Sequence, residues 1–399
     1  MPIPTSLSKA LIVLLAAASA LGPGSMEILL PALPLIKDTF QVSNDIAQLT
    51  LSLSMLAIAL GTLFYGPVSD KYGRKPVMLL GLSITIIGSV FCFLASSIEL
   101  LILGRLIQAF GGAAGLVLAR AIVRDVYSAQ EAGRVMATLI MVMVVVPMFS
   151  PALGGELIQH LGLKYLFVVT AIASIFILIL LLVRLPETLK EPVPFSGIGA
   201  MLNNYILLLK SRAFRGYAFS VTFTSVVFFS FISAAPEIMV SVLNRPPTEY
   251  GYYFIMIPLG FMAGNYFSRH YGGQMTLDTM ISIGTGISLI GVFAAIALQL
   301  SGYHQPIALF APIAFTVLGN GITLPNAQTA AINEFPQFAG SASGLSGFLQ
   351  MSVSAIATQL VAVIFNGSVY PLLFLMLCAS IISMACFYFA AGFRSAATA

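Results

Sequence analysis

The sequence predicts an all-α integral membrane protein of twelve transmembrane helices in two six-helix halves, and three observations lead to that class. Of 399 residues, 59% are apolar and only 8% are charged. That is too little charge to clothe a soluble globule of this length, so much of the surface must face lipid. Apolar runs of about 20 residues, the length that crosses a bilayer, recur from Ala10 almost to the end with short polar breaks. The basic residues, finally, gather in alternate loops, as they do when one side of a membrane is cytoplasmic.

Runs bounded by charges, Gly/Pro or polar clusters place the spans near 9–37, 45–65, 76–96, 99–124, 134–158 and 164–184, then near 214–241, 249–270, 277–300, 306–332, 339–365 and 370–390. The longest break holds Pro186, Pro192, Pro194, Lys190, Lys210 and the pair Asn203-Asn204. It divides an N-terminal half, 1–184, from a C-terminal half, 212–399, and makes 185–211 a cytoplasmic linker. With both termini in the cytoplasm, Lys9, Lys71, Arg74, Lys75, Arg120, Arg124, Arg134, Arg184, Lys190, Lys210, Arg212, Arg215, Arg269 and Arg394 share the cytoplasmic side. Only Lys37, Lys164 and Arg245 fall opposite, and Arg105 lies within a span. Ala16 to Gly22 has the look of a signal-peptide cleavage region. A single Lys9 precedes it, however, and the apolar pattern continues to Ile36, so the stretch reads as part of the first span. Lys71-Tyr72-Gly73 after span two and His270-Tyr271-Gly272 after span eight suggest an internal repeat of the parallel kind.

Other classes drop out. Cys92, Cys378 and Cys386 sit inside apolar runs and read as packing residues, not as a disulfide framework or a metal site. The net charge of +4 lies in short loops, so no nucleic-acid partner is expected. His160, His270 and His304 are dispersed, which argues against an enzyme, and there is no phosphate-binding loop for ATP. No cofactor is required, and a monomer in contact with membrane lipid is expected.

The loop after span two reads Gly66-Pro67-Val68-Ser69-Asp70-Lys71-Tyr72-Gly73-Arg74-Lys75-Pro76. It resembles the GxxxDxxGRR/K loop of the major facilitator superfamily. In that family the loop is a cytoplasmic gate, which the resemblance assigns here to Gly66, Asp70, Gly73, Arg74 and Lys75. Gly66 is expected to permit close helix approach, and an ionised Asp70 to favour the positive end of a helix dipole. Asp125, at the end of span four, is a candidate partner for Arg74. Gly104-Arg105-Leu106-Ile107-Gln108-Ala109 resembles the family's second motif, whose Arg and Gln serve proton coupling. Burying Arg105 in lipid costs about 2.5 kcal/mol or more, so it must face a cavity, a carboxylate, or backbone carbonyls as a scaffold. Pro147 to Gly155 resembles the span-five motif of the antiporter branch, with Ser150 where that motif has Gly. Pro147, Pro151, Gly154 and Gly155 are therefore expected to form a bent hinge.

Span one is interrupted, by Gly22-Pro23-Gly24 and then by Glu27 and Leu30-Pro31-Ala32-Leu33-Pro34. Broken helices mark transporter binding sites. Glu27 to Pro34 resembles the bicyclomycin and chloramphenicol resistance branch of drug:proton antiporters, which more often has Asp at the position of Glu27. Ala119 to Asp125, Pro186-Glu187-Thr188-Leu189, Leu324 to Ala327 and Gly344 to Gln350 extend the likeness along the chain. The resemblance implies a multidrug efflux antiporter of the bacterial inner membrane, proton-coupled and conferring antibiotic resistance. Its substrates would be small amphipathic drugs; export of a metabolite such as a sugar, nucleoside or siderophore is the alternative.

Glu27 is the acid placed deepest in a span of the first half. Burial disfavours its charge and a nearby cation such as Arg105 favours it, which makes a switchable proton site. The spans bring the two to depths about one turn apart, leaving contact open. Candidate substrate contacts are Glu27, Gln108, Asn320, Gln350, Phe231 and Tyr253, with Glu237 a secondary candidate for cationic substrates.

Overall fold

Two of these apolar stretches stop being regular helix at a proline, while others run through one. The computed structural model describes residues 7–127, 129–189, 197–335 and 338–398. Lys190, Pro192 and Pro194 of the expected linker lie outside the described residues, as do the side chains of Arg134 and Arg394. Among the described residues there is no strand, and ten helices are long and apolar enough to cross a membrane. The chain divides into two compact units, Met1–Phe195 and Ser196–Ala399.

The first unit holds α1 (Lys9–Glu27), α2 (Leu33–Phe40), α3 (Asn44–Tyr72), α4 (Arg74–Leu94), α5 (Ile98–Val126), α6 (Ala129–His160) and α7 (Lys164–Arg184). Span one is broken, but not at Gly22-Pro23-Gly24, through which α1 runs on to Glu27. The break comes at the next prolines. A 3-10 turn, Leu30–Ala32, carries Pro31, and Pro34 opens α2. Gly22 and Gly24 serve close packing instead: a Cβ on Gly22 would sit 3.1 Å from the carbonyl oxygen of Gly112.

The second unit holds α8 (Gly197–Lys210), α9 (Arg212–Glu237), α10 (Pro247–Phe254), α11 (Met256–Tyr271), α12 (Leu277–Leu300), α13 (Pro306–Asn333), α14 (Ala339–Ile364) and α15 (Tyr370–Thr398). Two features depart from the expected spans. The stretch read as linker contains the helix α8, whose Leu208 packs into a core with Phe214, Tyr217 and Leu345. Span eight, expected unbroken, is two helices, because Pro258 has no N–H for the carbonyl of Phe254 and its ring crowds that carbonyl.

Small residues bring α4 onto α5. A Cβ on Gly88 would lie 2.2 Å from Gln108 N, and one on Gly111 would lie 2.5 Å from the carbonyl oxygen of Gly81. The second unit repeats this arrangement between α12 and α13, where Gly291 meets Thr316 N at 2.7 Å and Gly319 meets the carbonyl oxygen of Gly284 at 2.4 Å. The same correspondence pairs Gly61, against the carbonyl of Phe110, with Gly264, against that of Leu318. Tyr72 then lies eleven residues beyond its glycine and Tyr271 only seven. The two Tyr-Gly tripeptides are therefore one helical turn out of register, and the glycine contacts, not the tripeptides, carry the repeat.

Gly66 also departs from expectation. A Cβ there would meet no heavy atom within 4 Å among the described residues, so close helix approach does not explain it. Gly88→Ala is expected to destabilise the detergent-purified protein by about 1–3 kcal/mol through overpacking, lowering its thermal midpoint, whereas Gly66→Ala should leave the midpoint within error of wild type.

Candidate functional site

A helix that stops inside a membrane leaves carbonyls that lipid cannot satisfy. At the end of α1, Leu29 N turns to the carbonyl of Met26 at 3.2 Å. The carbonyl of Ser25, which would have taken that N–H in a continuing helix, is thereby left for another donor. Arg105 supplies it from α5, donating Nη1–H at 3.1 Å. A cation at this end also complements the helix dipole. The same nitrogen donates to Gln108 Oε1, one turn along α5. Gln108 Nε2 in turn donates to Ser89 Oγ at 2.8 Å on α4, and Ser89 to the carbonyl of Thr85 at 2.9 Å. Arg105, Gln108 and Ser89 are each 1% exposed. The glycine contacts of α4 on α5 are what bring Ser89 within reach.

Glu27, the last residue of α1, is 6% exposed, and its Oε2 has no hydrogen-bond partner among the described residues. No ion pair within 4.0 Å joins it to Arg105. The two candidates sit on neighbouring helices, and of the guanidinium only Nη1 is bonded, to backbone and amide. Arg105 Nε and Nη2 likewise lack a partner among the described residues.

Span five packs on this break. A Cβ on Gly154 would stand 2.2 Å from the carbonyl oxygen of Ile28 and 3.2 Å from Pro31 Cγ, so the glycine admits the irregular turn behind Glu27. Gly24 faces Val146 Cγ1 at 3.2 Å in the same way. The helix α6 continues through Pro147 and Pro151, and Ser150 Oγ donates to the carbonyl of Val146 at 2.8 Å. Gly155 is buried beside Gly154.

At the other end of α3, the signature loop is a compact charge cluster. Arg74 donates from Nε to Asp125 Oδ2 at 2.8 Å, and from Nη1 to Asp70 Oδ1 at 2.5 Å and Ser69 Oγ at 2.6 Å. Gly73 sits at φ +101°, which a side chain would strain. Glu187 joins this cluster from the segment after α7. Its Oε1 accepts from Arg74 N at 2.9 Å and its Oε2 from Lys75 N at 3.1 Å, capping the N-terminus of α4 with a carboxylate. Oε1 also accepts from Thr188 N and Leu189 N, each at 2.9 Å. The likeness of Pro186 to Leu189 to a known motif was the only signal, and it names no partner.

In the second unit, Asn320 and Gln350 tie helices together. Asn320 Nδ2 donates to the carbonyl of Thr224 at 3.3 Å and its Oδ1 accepts from Ser288 Oγ at 3.1 Å; Gln350 Nε2 donates to Ser225 Oγ at 2.7 Å. Phe231 and Tyr253 converge on Phe310, with ring centroids 5.2 and 5.5 Å away. Phe231 is wholly buried there.

The sequence model of the Major Facilitator Superfamily matches residues 15–358. The chain belongs to that superfamily. It is a multi-pass membrane transporter, not an enzyme. It is 28% identical over 374 residues to the bicyclomycin resistance protein homolog of Haemophilus influenzae, covering 93% of each chain. It is 31% identical over 359 residues to the uncharacterized MFS-type transporter YdgK of Bacillus subtilis, covering 89% of each. To the multidrug resistance protein MdtL of Shigella dysenteriae it is 28% identical over 375 residues, covering 94% of each. Among solved structures, a bacterial homolog of the human lysosomal transporter Spinster superposes with a TM-score of 0.72 at 15% identity, over 96% of this chain and 95% of the other. The xylose transporter XylE of E. coli gives 0.72 at 11% identity, over 94% and 95%. At such identities these structures speak to the transporter's fold alone.

Replacing Glu187 by Ala removes both caps of α4 and should cost this transporter about 1 kcal/mol, read as a lower thermal midpoint, while Glu187→Gln, which keeps one acceptor, should lose less.

Proposed function

We propose that this transporter is a proton-coupled antiporter exporting small amphipathic drugs across the bacterial inner membrane by alternating access, as a monomer with both termini in the cytoplasm. The observation that carries the coupling is Glu27: a carboxyl buried in a helix break, with one oxygen lacking a partner among the described residues. An ionisable group held inside a membrane span costs stability and so points to function. The drug class is supported by the relatives named for bicyclomycin and multidrug resistance. The orientation is supported by the gathering of Lys and Arg in alternate loops.

In this mechanism substrate and proton compete for Glu27. Drug binding favours the ionised acid, and a proton arriving from outside displaces the drug. Each charge that crosses the membrane contributes about 2.3 kcal/mol per 100 mV, enough to drive concentration uphill. Arg105 acts here as a positioning residue: by holding the Ser25 carbonyl it fixes the turn that presents Glu27. The cluster of Asp70, Gly73, Arg74, Lys75 and Asp125 serves as the cytoplasmic gate, with Gly66 at its start, and Pro147, Pro151, Gly154 and Gly155 form the hinge behind the break.

The test uses energised everted vesicles loaded with a pH-sensitive dye. Adding chloramphenicol or a quaternary ammonium compound should release protons through wild type and not through Glu27→Gln. Release that persists in the variant removes Glu27 from the coupling path. Arg105→Lys, which keeps the charge but loses the planar fork, should reduce drug-driven release while leaving Glu27 in place; an unchanged rate would mean the Ser25 contact does not position the acid.

A further inference from the structure

The second unit also places a buried acid where its first spanning helix ends, seven residues further along that helix than Glu27 lies along α1. There α9 ends at Glu237, directly after Pro236, and the chain continues as a single π-helical turn, Ile238–Val242. Such turns are uncommon and concentrate at functional sites. Glu27 and Glu237 are thus each the last residue of the first transmembrane helix of their unit, each followed by irregular helix, and exposed by 6% and 5%. Ser241, on the π turn, donates its hydroxyl to Glu237 Oε1 at 2.5 Å, so the turn that interrupts the helix also holds the carboxyl.

The surroundings are nearly free of other charge. Of the elements packed on α9, α13 and α14 carry no ionisable side chain. In α15 there are Tyr370, Cys378, Cys386 and Tyr388, with Arg394 near its end; α8 has Tyr205 and Lys210; and α10 has Glu249, Tyr250, Tyr252 and Tyr253. Arg212, Arg215 and Tyr217 occupy the opposite end of α9, about 30 Å away along the helix at 1.5 Å per residue. Arg245, after the π turn, reaches Glu249 at 3.9 Å and Gln305 at 3.4 Å. Glu237, five residues from the end of the span 212–242, is therefore the one buried carboxyl of α9 and the helices packed on it, a position that calls for a reason.

We propose that Glu237 is a second proton-binding carboxyl of the transport cycle, so that each half of the chain carries one and each substrate exchanged is accompanied by one proton more than Glu27 alone would move. This rests on the proton-coupled reading of the function. The chemistry is reversible protonation only: the proton enters and leaves the carboxyl while the hydroxyl of Ser241 stays bonded to it, and no bond to carbon changes.

Two measurements separate this inference from that reading. Infrared difference spectra of the purified transporter in lipid nanodiscs, recorded across a pH titration, report the C=O stretch of protonated carboxyls without any substrate. Glu27→Gln should remove one titrating band and Glu237→Gln another. Ser241→Ala should move the midpoint of the second and leave the first where it was. In proteoliposomes, the chloramphenicol gradient that just balances an imposed pH gradient gives protons per drug, and Glu237→Gln should lower that ratio by one. If the spectrum of Glu237→Gln matches wild type, or if the ratio is unchanged and only transport of a quaternary cation is lost, the inference is overturned and Glu237 is a structural or substrate-binding acid. If both bands titrate but wild type moves no proton with chloramphenicol or a quaternary cation, the function proposed above fails, and the second proton per substrate fails with it.

Discussion

Hydrocarbon offers no hydrogen bonds, so a helix that ends inside a membrane must be finished by the protein itself. Much in the first unit follows from that requirement at one place, the carbonyl of Ser25. Pro31 and Pro34 end the regular helix behind Glu27, and Arg105 meets the carbonyl that the break leaves over. Arg105 then needs its own support, which Gln108 provides and Ser89 secures. Those bonds require α4 and α5 in close contact, which is why glycines stand at 88, 104 and 111. Gly154 completes the arrangement by leaving room on α6 for the carbonyl of Ile28.

Arg105 does not pair with Glu27 in this structure, although its Nε and Nη2 have no partner among the described residues. A guanidinium presents several donors in a fixed plane, and here one nitrogen serves both the Ser25 carbonyl and Gln108. The acid keeps an oxygen without a partner among the described residues, as the proposed proton exchange would require.

Much of this was legible in the sequence, because membrane helices are written in long apolar runs and the basic residues mark the loops between them. The positions of Glu27, Arg105, Asp70 and Arg74 could be read from motifs for the same reason: charge in or beside a span stands out. What could not be read were contacts made by backbone. Nothing in the residue types at 25 or 187 announces a carbonyl awaiting a donor or a carboxylate capping a distant helix. Of the two interruptions expected in span one, only the second is a break, for a related cause. Gly22-Pro23-Gly24 carries the composition of a break, yet α1 absorbs it, whereas Pro31 and Pro34 together remove two N–H groups within one turn. At Ile255, a single Pro258 was enough to split span eight.

The bond between Arg105 and α1 ends on a carbonyl, an atom common to every amino acid. Residue 25 can therefore drift over generations without loosening the contact, while residue 105 cannot, so the two positions leave no joint trace for methods that infer contacts from correlated substitution. A genetic search for compensating changes around Arg105 would be better aimed at residues 108 and 89, where both partners are side chains and where one change can answer another.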